Sequence, residues 1–300
     1  MIRAYKVAGH VFHLELPDNS ILWERLTQYY PFEVAVGETP VFSLKLVLSL
    51  PEERMEIVYD VPPEPGETVI RLFSTVTGYL AEMAPSDKFP VCGRLKMDKG
   101  FHSGELVLCG KSVSDAVFCI NNSMMLLFAF RTASLGTLEM HASVIMNSGK
   151  GYLFLARSGT GKSTHSSLWL KHVAGSELLN DDNPVVRIWP DGRIIVYGSP
   201  WSGKTPCYKN IECPVGAFVR IRRCSENRIT PLSPVESYAL LYSSCSGLKS
   251  DSDMGDGLHE SLESAALNVP SYVLDCRPDE EAALVCSGEL LKDGKVVSAE

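Results

Sequence analysis

The stretch from Tyr152 to His172, YLFLARSGTGKSTHSSLWLKH, restricts the fold of this chain more than any other. Four β-formers, Tyr152 to Leu155, run into the octet ARSGTGKS (156–163). Residues Ser163 to His172 then take helical spacing, with Leu168, Trp169 and His172 able to share a face. Strand, glycine-bearing loop and helix in that order describe a phosphate cradle of the Walker A kind. Backbone N–H groups turn inward at a helix start whose dipole attracts anions. The octet departs from G-x-x-x-x-G-K-[ST] at its first position, where Ala156 stands. Alanine has less backbone freedom than glycine but keeps its N–H, so the cradle survives. The expected phosphate-binding residues are Ser158, Gly159, Thr160, Gly161, Lys162, Ser163 and Thr164. Lys162 is expected to reach the β- and γ-phosphates, Ser163 to ligate magnesium, and Thr164 to add a hydroxyl contact.

A second octet, GSPWSGKT (198–205), matches the pattern at every position yet fails the context test. Pro200 removes a donor, Pro206 removes another just beyond, and CYKNIECP has no helical period. It is expected to be a flap beside the first octet rather than a cradle. Lys204 would approach the transferring phosphate or the acceptor, Trp201 would wall the pocket, and Ser202 and Gly203 would complete the loop.

Magnesium requires hard oxygen ligands, and phosphoryl transfer to a hydroxyl gains from a base that takes its proton. The strand ELLNDD ends in Asp181 and Asp182, 19 and 20 residues beyond Lys162, a spacing that suits a strand next to the P-loop strand. Asp181 is assigned to magnesium and Asp182 to the base, with the reverse order left open by the residues alone. His141, just ahead of the Ser143–Asn147 run, would sit beside the phosphates, whereas His165, in the first turn after the loop, is expected to be exposed.

The remaining organisation is that of a two-part chain. Residues 1–115 hold VFHLEL, FSLKLVLSL, RMEIVYDV and GELVLCG, alternating β-formers separated by turn residues in PPEPGE and MDKG. From Ser114 to Leu135 an almost wholly apolar helix is expected inside the protein; its core, MMLLFAF, is too short to cross a bilayer. Residues 116–300 hold the cradle, the hairpin VVRIW-PDG-RIIVY, the strands GAFVRIRR and SYVLDC, and helices over SPVESYALLYSS and EEAALVCSGELL. SDSDMGDG (250–257) lacks the Gly and Glu that a calcium loop places sixth and twelfth and is expected to be a mobile acidic loop.

With 28 basic against 36 acidic residues the net charge is −8, so no affinity for nucleic acid or anionic membrane is expected, and Arg220–Arg223 is expected to be a charged strand edge. Nine cysteines without a C-x-x-C pair suggest reduced thiols in a cytoplasmic protein. The oligomeric state is left open.

Together MHASV, ARSGTGKST, LLNDD and GSPWSGKT resemble HPr kinase/phosphorylase and the wider phosphoenolpyruvate-carboxykinase-like P-loop group, over about residues 116 to 300. The likeness is greatest to a compact branch of HPr-kinase-like proteins, some acting on serine. It implies an α/β (α+β) fold with a mixed sheet, a β-hairpin before the P-loop and another after the Asp pair, preceded by a smaller strand-rich domain. It implies Lys162 as phosphate lysine, Ser163 as magnesium hydroxyl, Asp182 as general base and His141 as a catalytic-site histidine. The activity implied is a phosphotransferase using Mg2+ with ATP, ADP or pyrophosphate, acting on the serine hydroxyl of a small molecule, peptide or protein. Ala156, and the lack of the acidic loop that follows the Asp pair in HPr kinase, argue against HPr itself as acceptor and leave a catalytically silent nucleotide-binding regulator as the alternative. Phosphoenolpyruvate carboxykinase chemistry lacks an assignable set of metal and arginine residues.

Overall fold

The computed structural model of the chain describes residues 1–60, 67–203, 205–248 and 252–292. Lys204, most of PPEPGE and the first two residues of SDSDMGDG lie outside the described residues. Two compact units are present: Met1–Thr132 with Leu248–Ser252, and Ala133–Gly247 resuming at Asp253.

The first unit holds β1 (Ile2–Val7), β2 (His10–Glu15), a one-turn helix α1 (Leu22–Arg25), β3 (Glu33–Val34), β4 (Phe42–Leu46), β5 (Met55–Tyr59), β6 (Val69–Thr75), β7 (Gly78–Ala84), β8 (Gly93–Asp98), β9 (Ser103–Leu108) and α2 (Val113–Thr132). Its nine strands form one sheet in the order β3-β1-β2-β4-β9-β8-β7-β6-β5. The pairs on either side of β4 are parallel and the rest antiparallel. The boundary expected at residue 115 falls one helix too early, because α2 packs on this sheet. A Cβ on Gly93 would lie 2.4 Å from Cys119 Sγ, and one on Gly104 would lie 2.5 Å from Leu127 Cδ1. These two glycines let the helix come close to the strands. Val113–Leu135 is long and apolar enough to cross a membrane by length and composition, but Cys119, Ile120, Met124, Leu127 and Phe128 are buried, as in a core helix.

The second unit contains β10 (Thr137–Met140), β11 (Ala142–Asn147), β12 (Lys150–Leu155), α3 (Lys162–His172), β13 (Glu177–Asp182), β14 (Val185–Ile188), β15 (Ile194–Tyr197), β16 (Glu212–Arg223), β17 (Arg228–Pro231), α4 (Pro234–Ser244), β18 (Cys245–Ser246), α5 (Ser252–Asn268), β19 (Ser271–Cys276) and α6 (Glu280–Leu290). β11 and β12 form a hairpin closed by Ser148 and Gly149, both at positive φ (51° and 76°), the backbone that a two-residue hairpin requires. The sheet runs β13-β11-β12-β16, and β16 then serves two neighbours on its far edge. Glu212–Pro214 pair antiparallel with β15, and Phe218–Arg223 pair parallel with β19.

Alternation along these strands divides the core. Ile145, Phe154 and Val219 join Trp169, Ala282 and Ala283 of α3 and α6 on one face. Val144, Leu153 and Phe218 join Leu240, Leu258 and Leu262 of α4 and α5 on the other. α4 opens as its sequence predicts, with Ser233 and Glu236 forming a reciprocal capping box ahead of Pro234. The acidic stretch expected to be a mobile loop is helical from Ser252 onward. Gly257 permits close packing there, since a Cβ on it would lie 2.6 Å from Ser134 Cα.

Candidate functional site

β12 delivers the chain into ARSGTGKS, and α3 begins at Lys162. Gly159 (φ 71°) and Gly161 (φ 122°) occupy backbone regions that suit glycine, and Gly161 is the N-cap residue of α3. The loop is tied from outside by Arg223 at the end of β16, which donates to the carbonyls of Gly159 at 2.6 Å and Thr160 at 3.0 Å. In the sequence Arg223 reads as part of a charged strand edge. Its partners lie 63 and 64 residues earlier, so no local pattern marks it as a support of the loop.

The Asp pair reaches the loop by a different route from the one its spacing suggests. β13 pairs with β11 and not with β12, so one strand intervenes. Two antiparallel steps restore direction: Asp182 lies opposite Ala142, which lies opposite Leu155, the last residue of β12. The carboxylates and the glycine-bearing loop 156–161 therefore share one end of the sheet.

There the two aspartates separate. Asp181 is 2 % exposed and accepts from Ser163 Oγ at 3.0 Å through Oδ1, while its buried Oδ2 has no hydrogen-bond partner among the described residues. Asp182 turns to His141, whose Nε2 lies 3.1 Å from Asp182 Oδ1 and 2.6 Å from Lys162 Nζ. Lys162 also donates to the carbonyl of Ala156 at 3.3 Å. Burial pushes the Asp182 carboxyl up, but the hydrogen bond and charge of His141, with the charge of Lys162, outweigh it and hold the group below the ordinary carboxylate range. Asp182 also has φ 115°, a backbone that costs a non-glycine residue about 1–3 kcal/mol and recurs at functional positions. His141, Arg157, Ser158, Gly159, Lys162, Ser163, Asp181, Asp182 and Gly203 all border one cleft of about 340 Å³.

Of the second octet, Gly203 reaches the cleft. Its N–H donates to Asp181 O at 2.6 Å, Ser202 Oγ donates to the same carbonyl at 2.9 Å, and Ser202 pairs with Asp182 in an isolated bridge. Trp201 does not border this cleft. It is buried, its carbonyl accepting from Asn180 Nδ2 at 3.1 Å. His165, expected to be exposed, is 2 % exposed: its ring meets Phe154 edge-on, its Nε2 accepts from Trp169, and burial pulls its pKa down to about 4.

Sequence reading also missed Glu139, a fully buried acid on β10 two residues before His141. Neither carboxyl oxygen has a well-formed hydrogen bond among the described residues. Burial pushes its pKa up to about 7, against the pull of Ser246 and His141 and with an added push from Asp182. A raised acid pKa leaves stability intact below the unfolded value and removes it as pH rises through the folded one. From 4.5 to about 7 the loss sums to about 3 kcal/mol. Glu139→Gln is therefore expected to flatten the stability profile between about pH 4.5 and pH 7, measured as urea midpoints. Parallel profiles for parent and variant would show that Glu139 does not titrate there.

No protein-family model matches the chain, and no curated protein matches it. Among solved structures, the HPr(Ser) kinase/phosphatase from Coxiella burnetii is similar at a TM-score of 0.31 and 12% identity, covering 52% of this chain and 98% of that one. At that level of likeness, any functional assignment depends on the site's own geometry.

Proposed function

We propose that the second unit is a nucleotide- and magnesium-dependent phosphotransferase acting on a hydroxyl acceptor, with serine the acceptor to test first. The observation behind this reading is the division of labour at one end of the sheet: Ser163 with Asp181 on one side of the P-loop, and Lys162, His141 and Asp182 on the other. Residues 158–164 would hold the phosphates through backbone N–H groups at the start of α3. A hydroxyl and a carboxylate with a spare buried oxygen suit Mg2+, which takes few protein ligands and completes its shell with water and phosphate oxygens. Among the described residues no group of three or more His, Cys, Asp or Glu is placed to hold a metal, so the remaining ligands would be solvent and substrate. The ion would neutralise phosphate charge.

The chain's own residues would do the rest by positioning and electrostatics. Lys162 would neutralise the transferring group. Asp182, ionised and oriented by His141, would accept the acceptor's proton as its oxygen bonds to phosphorus and the donor's bridging oxygen departs. Labelled γ-phosphate transfer from ATP to free serine, serine peptides and HPr tests the proposal. Transfer to any of them supports it; nucleotide binding with no transfer to any acceptor would favour a catalytically silent binding protein.

Gly203 provides a second handle. A Cβ there would lie 2.9 Å from Asp182 Cβ and 3.1 Å from Cγ, so Gly203→Val must move the loop or the aspartate. Misplacing a catalytic group by about 1 Å costs on the order of a hundredfold in rate, and that loss is expected with little change in nucleotide affinity. Full activity in Gly203→Val would mean that the loop yields freely.

A further inference from the structure

Next to the phosphate cleft lies a second cavity of about 420 Å³, on the side of the P-loop away from the aspartates. Its position follows from the topology. β12, β16 and β19 run parallel, and the cavity opens at their carboxyl ends, where α/β sheets bind ligands. Ile221 and Cys224 come from the end of β16, Cys276 and Pro278 from the end of β19 and just beyond, and Leu168 from α3. The lining is mostly apolar. At its rim Arg277 donates to Asp279 at 2.9 Å and to Glu281 at 2.8 Å, two exposed pairs that restrain a planar guanidinium beside the cavity. Gly161 and Thr164 border both cavities, so one ligand can occupy the two.

We propose that this cavity receives the nucleoside end of the phosphate donor, with the base against Leu168, Ile221 and Pro278 and beside Arg277. The assignment rests on the phosphate-cradle reading above and goes beyond it. It makes the donor a nucleoside polyphosphate and excludes pyrophosphate or an inorganic polyphosphate as the preferred ligand, since neither has a group to fill an apolar pocket of this size. Leu168 is half-buried on α3, packed at the margin of the core around Trp169, and it borders this cavity but not the phosphate cleft.

Isothermal titration of the full chain with ATP, GTP and tripolyphosphate, each with Mg2+, tests the inference. At least one nucleotide is expected to bind tenfold or more tightly than tripolyphosphate. Leu168→Gln is expected to weaken that nucleotide about fivefold or more while leaving tripolyphosphate unchanged, which also reports an intact cradle. Tripolyphosphate binding as tightly as both nucleotides would overturn the inference, as would a variant that weakens both ligand classes alike or neither. If neither the nucleotides nor tripolyphosphate bind, the cradle reading itself fails and takes this inference with it.

Discussion

Asp182→Asn is expected to lower phosphate transfer about a thousandfold, within the range of 10²–10⁴ that positioned acid–base groups contribute, while nucleotide affinity stays within a few-fold of the parent. Three features of the residue lead to this. Its carboxylate lies 3.1 Å from His141 Nε2 and is held ionised, so it is ready to accept a proton. It faces His141 and Lys162, whereas Ser163 is bonded to Asp181, so removing its charge leaves the Ser163–Asp181 pair intact. Asn has the same shape as the Asp already held at φ 115°, so the variant is expected to fold. A loosely bonded phosphoryl transition state requires little proton removal before the phosphorus–oxygen bond forms, and so a weak base in place suffices. Single-turnover transfer and titration calorimetry on the same preparation separate rate from affinity. Transfer within threefold of the parent would remove Asp182 from the chemistry.

The parts of the site that the sequence displays are those written in contiguous residues. The proposed cradle is local, because strand, glycines, lysine and helix all fall between Tyr152 and His172, and of the two octets it is the one that opens a helix. The carboxylate pair was legible as a strand end. Its place in the sheet was not, since residue spacing does not reveal that β11 comes between. Arg223 and Glu139 were invisible for a related reason. A charged residue in an alternating strand reads as solvated until the tertiary fold brings the carbonyls of Gly159 and Thr160 to Arg223 and closes the core over Glu139. Trp201 and His165 differ the other way: Trp201, expected to wall the pocket, and His165, expected to be exposed, are both buried, His165 with its ring edge-on to Phe154 of β12. In the first unit, alternation found β2, β4, β5 and β9 but passed over β1, β6, β7 and β8, where charged or small residues such as Arg3, Lys6, Arg71 and Glu82 interrupt the apolar pattern.

Lys162→Met separates the second half of the mechanism from the first. Met matches the buried stem of Lys162 in length, so the change removes the ammonium with little loss of packing. Affinity for nucleotide is expected to fall about tenfold to a hundredfold, since hydrogen bonds to a charged group contribute about 1.5–3 kcal/mol. Transfer is expected to fall a further hundredfold or more as charge develops without a cation to meet it. The geometry adds a constraint that a lysine bound only to phosphate would not have. His141 Nε2 lies 2.6 Å from Lys162 Nζ and 3.1 Å from Asp182 Oδ1, and one ring nitrogen cannot accept from the lysine while donating to the carboxylate. A phosphate that draws Lys162 away therefore frees Nε2–H for Asp182, coupling donor binding to the orientation of the base. In Lys162→Met that competition is gone and His141 is committed to Asp182 whether or not nucleotide is present. The Nε2–H signal of His141 in ¹⁵N-resolved spectra is then expected to be indifferent to nucleotide in the variant and to respond to it in the parent. An unaltered affinity, rate and nucleotide response in Lys162→Met would place the phosphates elsewhere and undo the assignment of the cradle.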